Sequence, residues 1–285
     1  MTYLGHEKQE AGVIAADGAK LFGVSYLRPK ARGTVVLVHG VAEHSGRYRH
    51  VVEFLVEAGY SVLTFDLRGH GLSPGTRAYL QDINTWVHDL EPVVQKAVGL
   101  SEGRPIFLLG HGAGAGVAAL YASRMRVPSQ LRGLILSSPH MESARYPLLA
   151  KVSTLMNFLL PRVGVFHPPT PELLSRDPHV RDHASKDPLN YRGRLTARTL
   201  AELALGGRDL RRQMAKIDIP TLILHGTADR IAKSGDSEKL YESVSCRDKT
   251  YLTYHGYFHE ILNDYGKEVV LEDICSWLHQ RAPVF

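Results

Sequence analysis

The run Gly110-His111-Gly112-Ala113-Gly114 follows a short apolar stretch, Ile106 to Leu109, and precedes the Ala-rich stretch Ala115 to Ser123. A strand, a sharp turn made possible by flanking glycines and a helix form the context of the nucleophile elbow, G-x-S-x-G. Such a turn presents its central side chain to an acyl carbon. Here the centre is Gly112, so no acyl-serine can form at that position. Further along, Asp229 lies in His225-Gly226-Thr227-Ala228-Asp229-Arg230, directly after an apolar run. His259 lies in His255-Gly256-Tyr257-Phe258-His259-Glu260, after the last such run. The chain order elbow, Asp, His is one of those in which an Asp holds an imidazole tautomer and the His moves a proton.

A second loop bears on the same chemistry. His39-Gly40-Val41 follows an apolar stretch and continues into Ala42-Glu43-His44-Ser45-Gly46-Arg47-Tyr48. In a sheet of this kind the backbone N–H of Val41, with that of Ala113 after the elbow centre, can face a developing oxyanion. Backbone donors survive a change of side chain, so Gly112 leaves this expectation intact. Ser45 and Ser73 lie in other loops and are not expected to replace the missing nucleophile. His39, His70 and His111 are read as packing and loop-shaping residues.

Strand-like runs must carry these loops. Val35 to Val38, Ser61 to Phe65, Ile106 to Leu109, Leu134 to Leu136, Thr221 to Leu224 and Thr250 to Tyr254 are short and rich in β-formers. Helical stretches separate them. This alternation predicts a doubly wound, mostly parallel sheet, with a hairpin turn at Asp17-Gly18. In the tail, Val270, Ile274, Trp277 and Leu278 share one helical face. The rhythm breaks between Pro139 and Ile217, where Leu148, Leu149, Val152, Leu155, Met156, Leu159 and Leu160 form an apolar stripe ended by Pro161. A second helical segment begins near Thr196. The expectation is a core of residues 1–140 and 210–285, with a helical cap at 141–209 over the strand ends. The stripe is read first as core packing and second as a lid touching a membrane surface, with Leu155 and Leu159 facing the substrate.

Composition narrows the function classes. In 285 residues, 34 Lys+Arg against 29 Asp+Glu give a scattered +5, which argues against nucleic-acid binding. No run approaches the ~20 apolar residues of a membrane span, and the polar start, Met1 to Glu10, does not read as a signal peptide. The two cysteines, Cys246 and Cys275, lack metal or redox spacing and suit a reducing, cytoplasmic setting. No ligand cluster or phosphate-binding loop points to a metal or organic cofactor.

Taken together, these motifs resemble the monoacylglycerol lipase-like branch of the α/β-hydrolases. The likeness covers Asp17-Gly18 with Leu21-Phe22, the His39 to Tyr48 loop, and Phe65-Asp66-Leu67-Arg68-Gly69-His70-Gly71-Leu72-Ser73. It continues through Ser175-Arg176-Asp177-Pro178, Asp187-Pro188-Leu189 and His225 to Ile231, and ends at His259. The resemblance implies an α/β-hydrolase fold with a helical cap, and carboxylic-ester hydrolysis on an apolar acyl ester or lipid. It also implies a triad of which Asp229 and His259 remain.

Two departures stand out. The family elbow reads Gly-His-Ser-Met-Gly, sometimes with Ala for Met, where this chain has Gly112. Many relatives also carry a tyrosine three residues before Asp-Pro-Leu, available to the polar head of the substrate, where this chain has Ala184. The chain is therefore expected to be inactive or strongly impaired as a serine hydrolase. Three readings remain open at this point: an esterase whose serine was removed by design, a non-covalent enzyme using Asp229–His259 as a general base on water or substrate, and a pseudoenzyme binding an apolar ligand.

Overall fold

The computed structural model describes residues 2–3, 6–140 and 157–282. Its strands are β1 (Thr2–Tyr3), β2 (His6–Glu10), β3 (Val13–Ile14), β4 (Lys20–Leu21), β5 (Gly23–Leu27), β6 (Thr34–Val38) and β7 (Ser61–Phe65). They continue with β8 (Ile106–His111), β9 (Leu131–Ser137), β10 (Gly164–Phe166), β11 (Leu195–Thr196), β12 (Thr221–Gly226) and β13 (Lys249–Tyr254). The principal helices are α1 (Arg49–Glu57), α2 (Ile83–Leu100), α3 (Ala113–Arg124), α4 (Pro171–Leu174), α5 (Pro178–Lys186), α6 (Ala197–Gln213), α7 (Ser234–Ser243) and α8 (Lys267–Arg281).

Nine strands form one sheet in the order β1-β2-β5-β7-β6-β8-β9-β12-β13. From β7 to β13 every neighbouring pair is parallel, whereas β2–β5 and β5–β7 are antiparallel. Alternation along each central strand divides the core into two layers. Val36, Val38, Leu108 and Leu134 pack with Trp86 and Leu90 of α2 and Leu120 of α3 on one face. Val35, Leu37, Leu109 and Ile135 pack with Leu55 of α1 and Ile274 and Leu278 of α8 on the other. Both faces are covered, which is why the central strands read as continuous apolar runs rather than alternating ones. Truncating a fully buried side chain such as Leu108 to Ala would cost about 2–5 kcal/mol.

The Asp17-Gly18 turn joins β3 to β4, which pair antiparallel outside the main sheet. Between β9 and β12 the described chain adds no strand to that sheet. Instead β10 and β11 form their own antiparallel pair, and α6, opened by a Thr196 side-chain cap, packs against α3 and α2. Since α6 runs from 197 to 213, it crosses the cap boundary expected at 209/210.

Leu155, with most of the apolar stripe, lies outside the described residues. Its described end, Leu159 and Leu160, is 65% and 55% exposed, with the neighbouring Phe158 at 86%, which departs from the core-packing expectation. Leu159 packs neither into the core nor into the cavity described below, because its segment lies on the outer surface ahead of Pro161. Cys246 and Cys275 are both buried free thiols.

Candidate functional site

The elbow is built where β8 meets α3. Gly112 sits at φ 55°, ψ −120°, immediately before the first helical residue Ala113. This left-handed conformation is one that residues with a Cβ adopt only under strain. Its N–H donates to Ser137 O at 3.0 Å, and its carbonyl accepts from His140 N at 3.1 Å, so the turn is held on both sides by the end of β9. The close approach of α3 also depends on Gly114, where a Cβ would run into the carbonyl oxygens of Val38 and His39.

A Cβ built on Gly112 would lie 3.3 Å from His259 Nε2, with Gly40 Cα next at 3.9 Å. The elbow centre therefore faces the imidazole. His259 Nδ1 lies 2.7 Å from Asp229 Oδ2, which leaves Nε2 as the nitrogen turned to the elbow. Asp229 is in turn held by four groups. Oδ2 is 3.1 Å from His225 Nε2, and Oδ1 accepts from Ile231 N at 2.7 Å and Ala232 N at 3.0 Å. Burial disfavours the Asp229 charge, but His259 and His225 outweigh it and hold the carboxyl far below its usual range. Burial likewise disfavours a charged His259, yet the Asp229 carboxylate prevails and its pKa is raised above the ordinary 6.5. His225 is a partner that the motif reading did not assign.

Under the loop after β6 lies an ion network that sequence reasoning also missed. Glu43 Oε1 accepts from Gly40 N at 2.6 Å and Tyr48 Oη at 2.7 Å. Arg47 donates to Glu43 Oε2 at 2.7 Å and grips both oxygens of Glu260 at 2.6 and 2.7 Å. Burial opposes the Glu43 charge, but Arg47 dominates and takes its pKa down to about 2. Since Glu260 follows His259, one buried guanidinium ties the Val41 loop to the His259 loop. The spacing of Glu43 and Arg47, four apart, was the only sequence signal for it.

These elements border a cavity of about 430 Å³ whose wall includes Val41, Gly112, Ala113, Ala184 and His259. The N–H of Ala113 belongs to the first turn of α3, where no intrahelical acceptor exists. Ala184 is buried, and Asn190 Nδ2 donates to its carbonyl at 3.0 Å. Asn190 Oδ1 and His140 Nδ1 are buried at the same cavity and have no hydrogen-bond partner among the described residues. His111 does more than pack. Its ring centroid is 4.9 Å from that of His259, and burial, then His259 itself, pushes its pKa down to about 4. His39 and His70 match their expected roles: both are buried, and His39 Nε2 accepts from Leu67 N at 2.9 Å.

The segment between β9 and β12 is docked to both site loops. Tyr191 N donates to Ala42 O at 2.9 Å, His44 Nε2 is 2.8 Å from Asp187 Oδ2, and Glu260 N donates to Leu174 O at 2.8 Å. Ser175 Oγ and Arg176 Nε bind the Asp264 carboxylate at 3.0 and 2.9 Å, and Asp177 caps α5.

Comparison with known proteins bears on this arrangement. Residues 29–266 match the profile of the family described as "Serine aminopeptidase, S33". A monoacylglycerol lipase of Mycolicibacterium smegmatis is 33% identical over 87% of this chain and 88% of its own length. The chain belongs to the monoacylglycerol lipase-like α/β-hydrolases. The human monoglyceride lipase is 32% identical over 95% of this chain and 90% of its own. A soluble variant of monoglyceride lipase from Saccharomyces cerevisiae, solved with a substrate analog, superposes with a TM-score of 0.87 at 25% identity, covering 99% and 97%.

Proposed function

We propose that the cavity is an ester-hydrolase site for an apolar acyl ester with a hydroxyl-bearing head, of the monoacylglycerol type, in which the covalent step is lost. The observation that carries this reading is the 3.3 Å approach of a Gly112 Cβ to His259 Nε2. In the proposed arrangement Asp229 fixes the Nδ1–H tautomer of His259, Nε2 is the base, and the N–H groups of Val41 and Ala113 receive the oxyanion. Segment 141–209 acts as the cap. The unpartnered Asn190 Oδ1 supports a polar head at this end of the cavity, beside Ala184.

Without a serine, His259 can still take a proton from water that attacks the ester carbonyl. Damaged triads retain roughly 10³–10⁴-fold acceleration from the oxyanion donors and binding alone. The exposed Phe158, Leu159 and Leu160 support transient contact of the cap with a lipid surface, and no helix among the described residues is long and apolar enough to cross a membrane.

The test is displacement of a fluorescent fatty-acyl probe by a monoacylglycerol, paired with slow ester cleavage in the same sample. Displacement with cleavage that falls in His259→Ala supports the reading. Displacement with cleavage unchanged in His259→Ala removes the base role and leaves an apolar-ligand binding protein. No displacement removes the ester reading.

A further inference from the structure

We infer that Asn190 and His140 select the substrate of this site, and that what they select is a pair of free hydroxyls on the alcohol part of the ester. The inference rests on the proposed ester site and deepens it, because it names the residues that read the head and the chemistry they read.

Each side chain carries a buried polar atom left unpaired by the fold. Asn190 Oδ1 and His140 Nδ1 belong to residues that border the cavity, and neither atom has a hydrogen-bond partner among the described residues. Buried polar groups are ordinarily paired, so two orphans at one cavity point to partners that a ligand brings. The Asn190 amide cannot turn to relieve this. Its Nδ2 donates to the Ala184 carbonyl at 3.0 Å, and the flipped amide would set two acceptors face to face. The remaining oxygen therefore takes a donor. Burial, with His259 second, pushes the His140 pKa down to about 4, so the ring carries no charge at neutral pH. In either tautomer a hydroxyl satisfies its Nδ1, because a hydroxyl both donates and accepts.

Both residues are tied to the loops that would hold the ester group. His140 N donates to Gly112 O at 3.1 Å, which sets His140 beside the elbow. Tyr191 N donates to Ala42 O at 2.9 Å, which sets Asn190 beside the Val41 loop. The free hydroxyls of a polyol monoester lie within a few bonds of the ester oxygen and so fall in this region. Other heads fit less well. An ionised phosphate offers Asn190 Oδ1 only acceptor oxygens. An ammonium would meet Arg192 and Arg230 at the cavity border, while the carboxylates there, Glu43 and Glu260, are already gripped by Arg47. A plain alkyl head would leave both orphans buried and unpaired.

The experiment measures displacement of a fluorescent fatty-acyl probe from the full chain by a monoacylglycerol, an ethylene glycol monoester and a methyl ester of the same acyl chain. The methyl ester of the matching β-hydroxyacyl chain is run alongside. Affinity should fall along the first three as hydroxyls are removed, by about two- to tenfold per hydroxyl, the net worth of one hydrogen bond. The β-hydroxyacyl ester should bind no better than the plain methyl ester. Parity with the glycol monoester would put the selected hydroxyl on the acyl side and overturn the inference. In Asn190→Leu and in His140→Phe the ratio of monoacylglycerol to methyl ester affinity should shrink by a factor of that size. Variants that weaken all the esters alike, with the ratio kept, show a merely structural role and overturn it. If a variant does not fold, the ring-nitrogen resonances of His140 in the unaltered chain decide. Monoacylglycerol should shift Nδ1 and methyl ester should not, and equal shifts overturn the inference. Equal affinity for the three esters rejects the head reader while leaving the ester site standing. No displacement by any ester rejects both.

Discussion

A Cβ on Gly112 would come within 3.3 Å of His259 Nε2, the closest heavy atom in that direction outside its own chain neighbours, which is the approach that the proposed function reads as a nucleophile position facing its base. Meanwhile Asp229 holds the opposite ring nitrogen at 2.7 Å. The positioning of the turn does not depend on a serine. It comes from the glycine φ, from Ser137 and His140 on either side of the elbow, and from Gly114 beneath α3.

A fluorophosphonate probe is expected to leave the chain unlabelled. Ser45 Oγ donates to Asp66 Oδ1 at 2.7 Å and Ser73 Oγ to Asp66 O at 2.5 Å, so both hydroxyls are committed to loop structure. Intact-mass measurement checks this, and a probe adduct on any cavity residue would show that a substitute nucleophile exists.

The imidazole of His259 is expected to titrate above its ordinary value of 6.5, because the Asp229 carboxylate outweighs the effect of burial. Base catalysis needs the neutral ring, so any residual ester cleavage should rise with pH through a midpoint above 6.5. In Asp229→Asn the stabilising charge is gone while burial remains, and the midpoint should move down. NMR titration of the His259 ring reads this without relying on turnover. An unchanged midpoint in the variant would mean that Asp229 does not govern the base.

Acid should destabilise the fold from pH 6.5 downward. His39, His50, His70, His111 and His140 all have pKa values lowered chiefly by burial, to about 3 for His70 and about 4 for His111 and His140. Below 6.5 the unfolded chain binds protons that the folded chain refuses, so stability falls by at most about 1.4 kcal/mol per pH unit for each such group. His259 acts in the opposite sense. Its raised value adds stability that is present below 6.5 and is lost as pH rises through the folded value. Five groups against one give a net loss on acidification. Thermal unfolding between pH 7 and pH 5 is the check, with His70→Phe expected to flatten the slope. A melting temperature that climbs as pH falls would contradict it.

Much of the scaffold was legible because buried parallel strands are apolar on both faces. The expected runs at Val35 to Val38 and Ser61 to Phe65 fall within β6 and β7, and the tail face Val270, Ile274, Trp277 and Leu278 is buried in α8. The strand β2, His-Glu-Lys-Gln-Glu, gave no such signal, because an edge-proximal antiparallel strand need not be apolar. Gly112, Asp229 and His259, singled out from motifs that local turns impose, are brought together by the fold, with His259 between the other two. The Arg47–Glu260 contact was not legible, since it joins residues 213 apart and only the fold brings them together. Asn190 was missed for a related reason: its amide is oriented by the backbone carbonyl of Ala184, which no side-chain pattern records. Leu159 was assigned to the pocket from helical spacing alone, and that spacing does not say which face the molecule covers.

The most direct measurement is on Gly112→Ser. At φ 55° a side-chain-bearing residue carries strain of about 1–3 kcal/mol, and the 3.3 Å approach requires His259 to give by a few tenths of an ångström. The variant should therefore melt lower, by about 2–4 °C per kcal/mol. It should also release a burst of one equivalent of p-nitrophenol from a long-chain ester, followed by turnover, and cleave a monoacylglycerol. A folded variant of lower melting temperature with burst and turnover is the result the account requires. A folded variant with neither, on any of these esters, would contradict it.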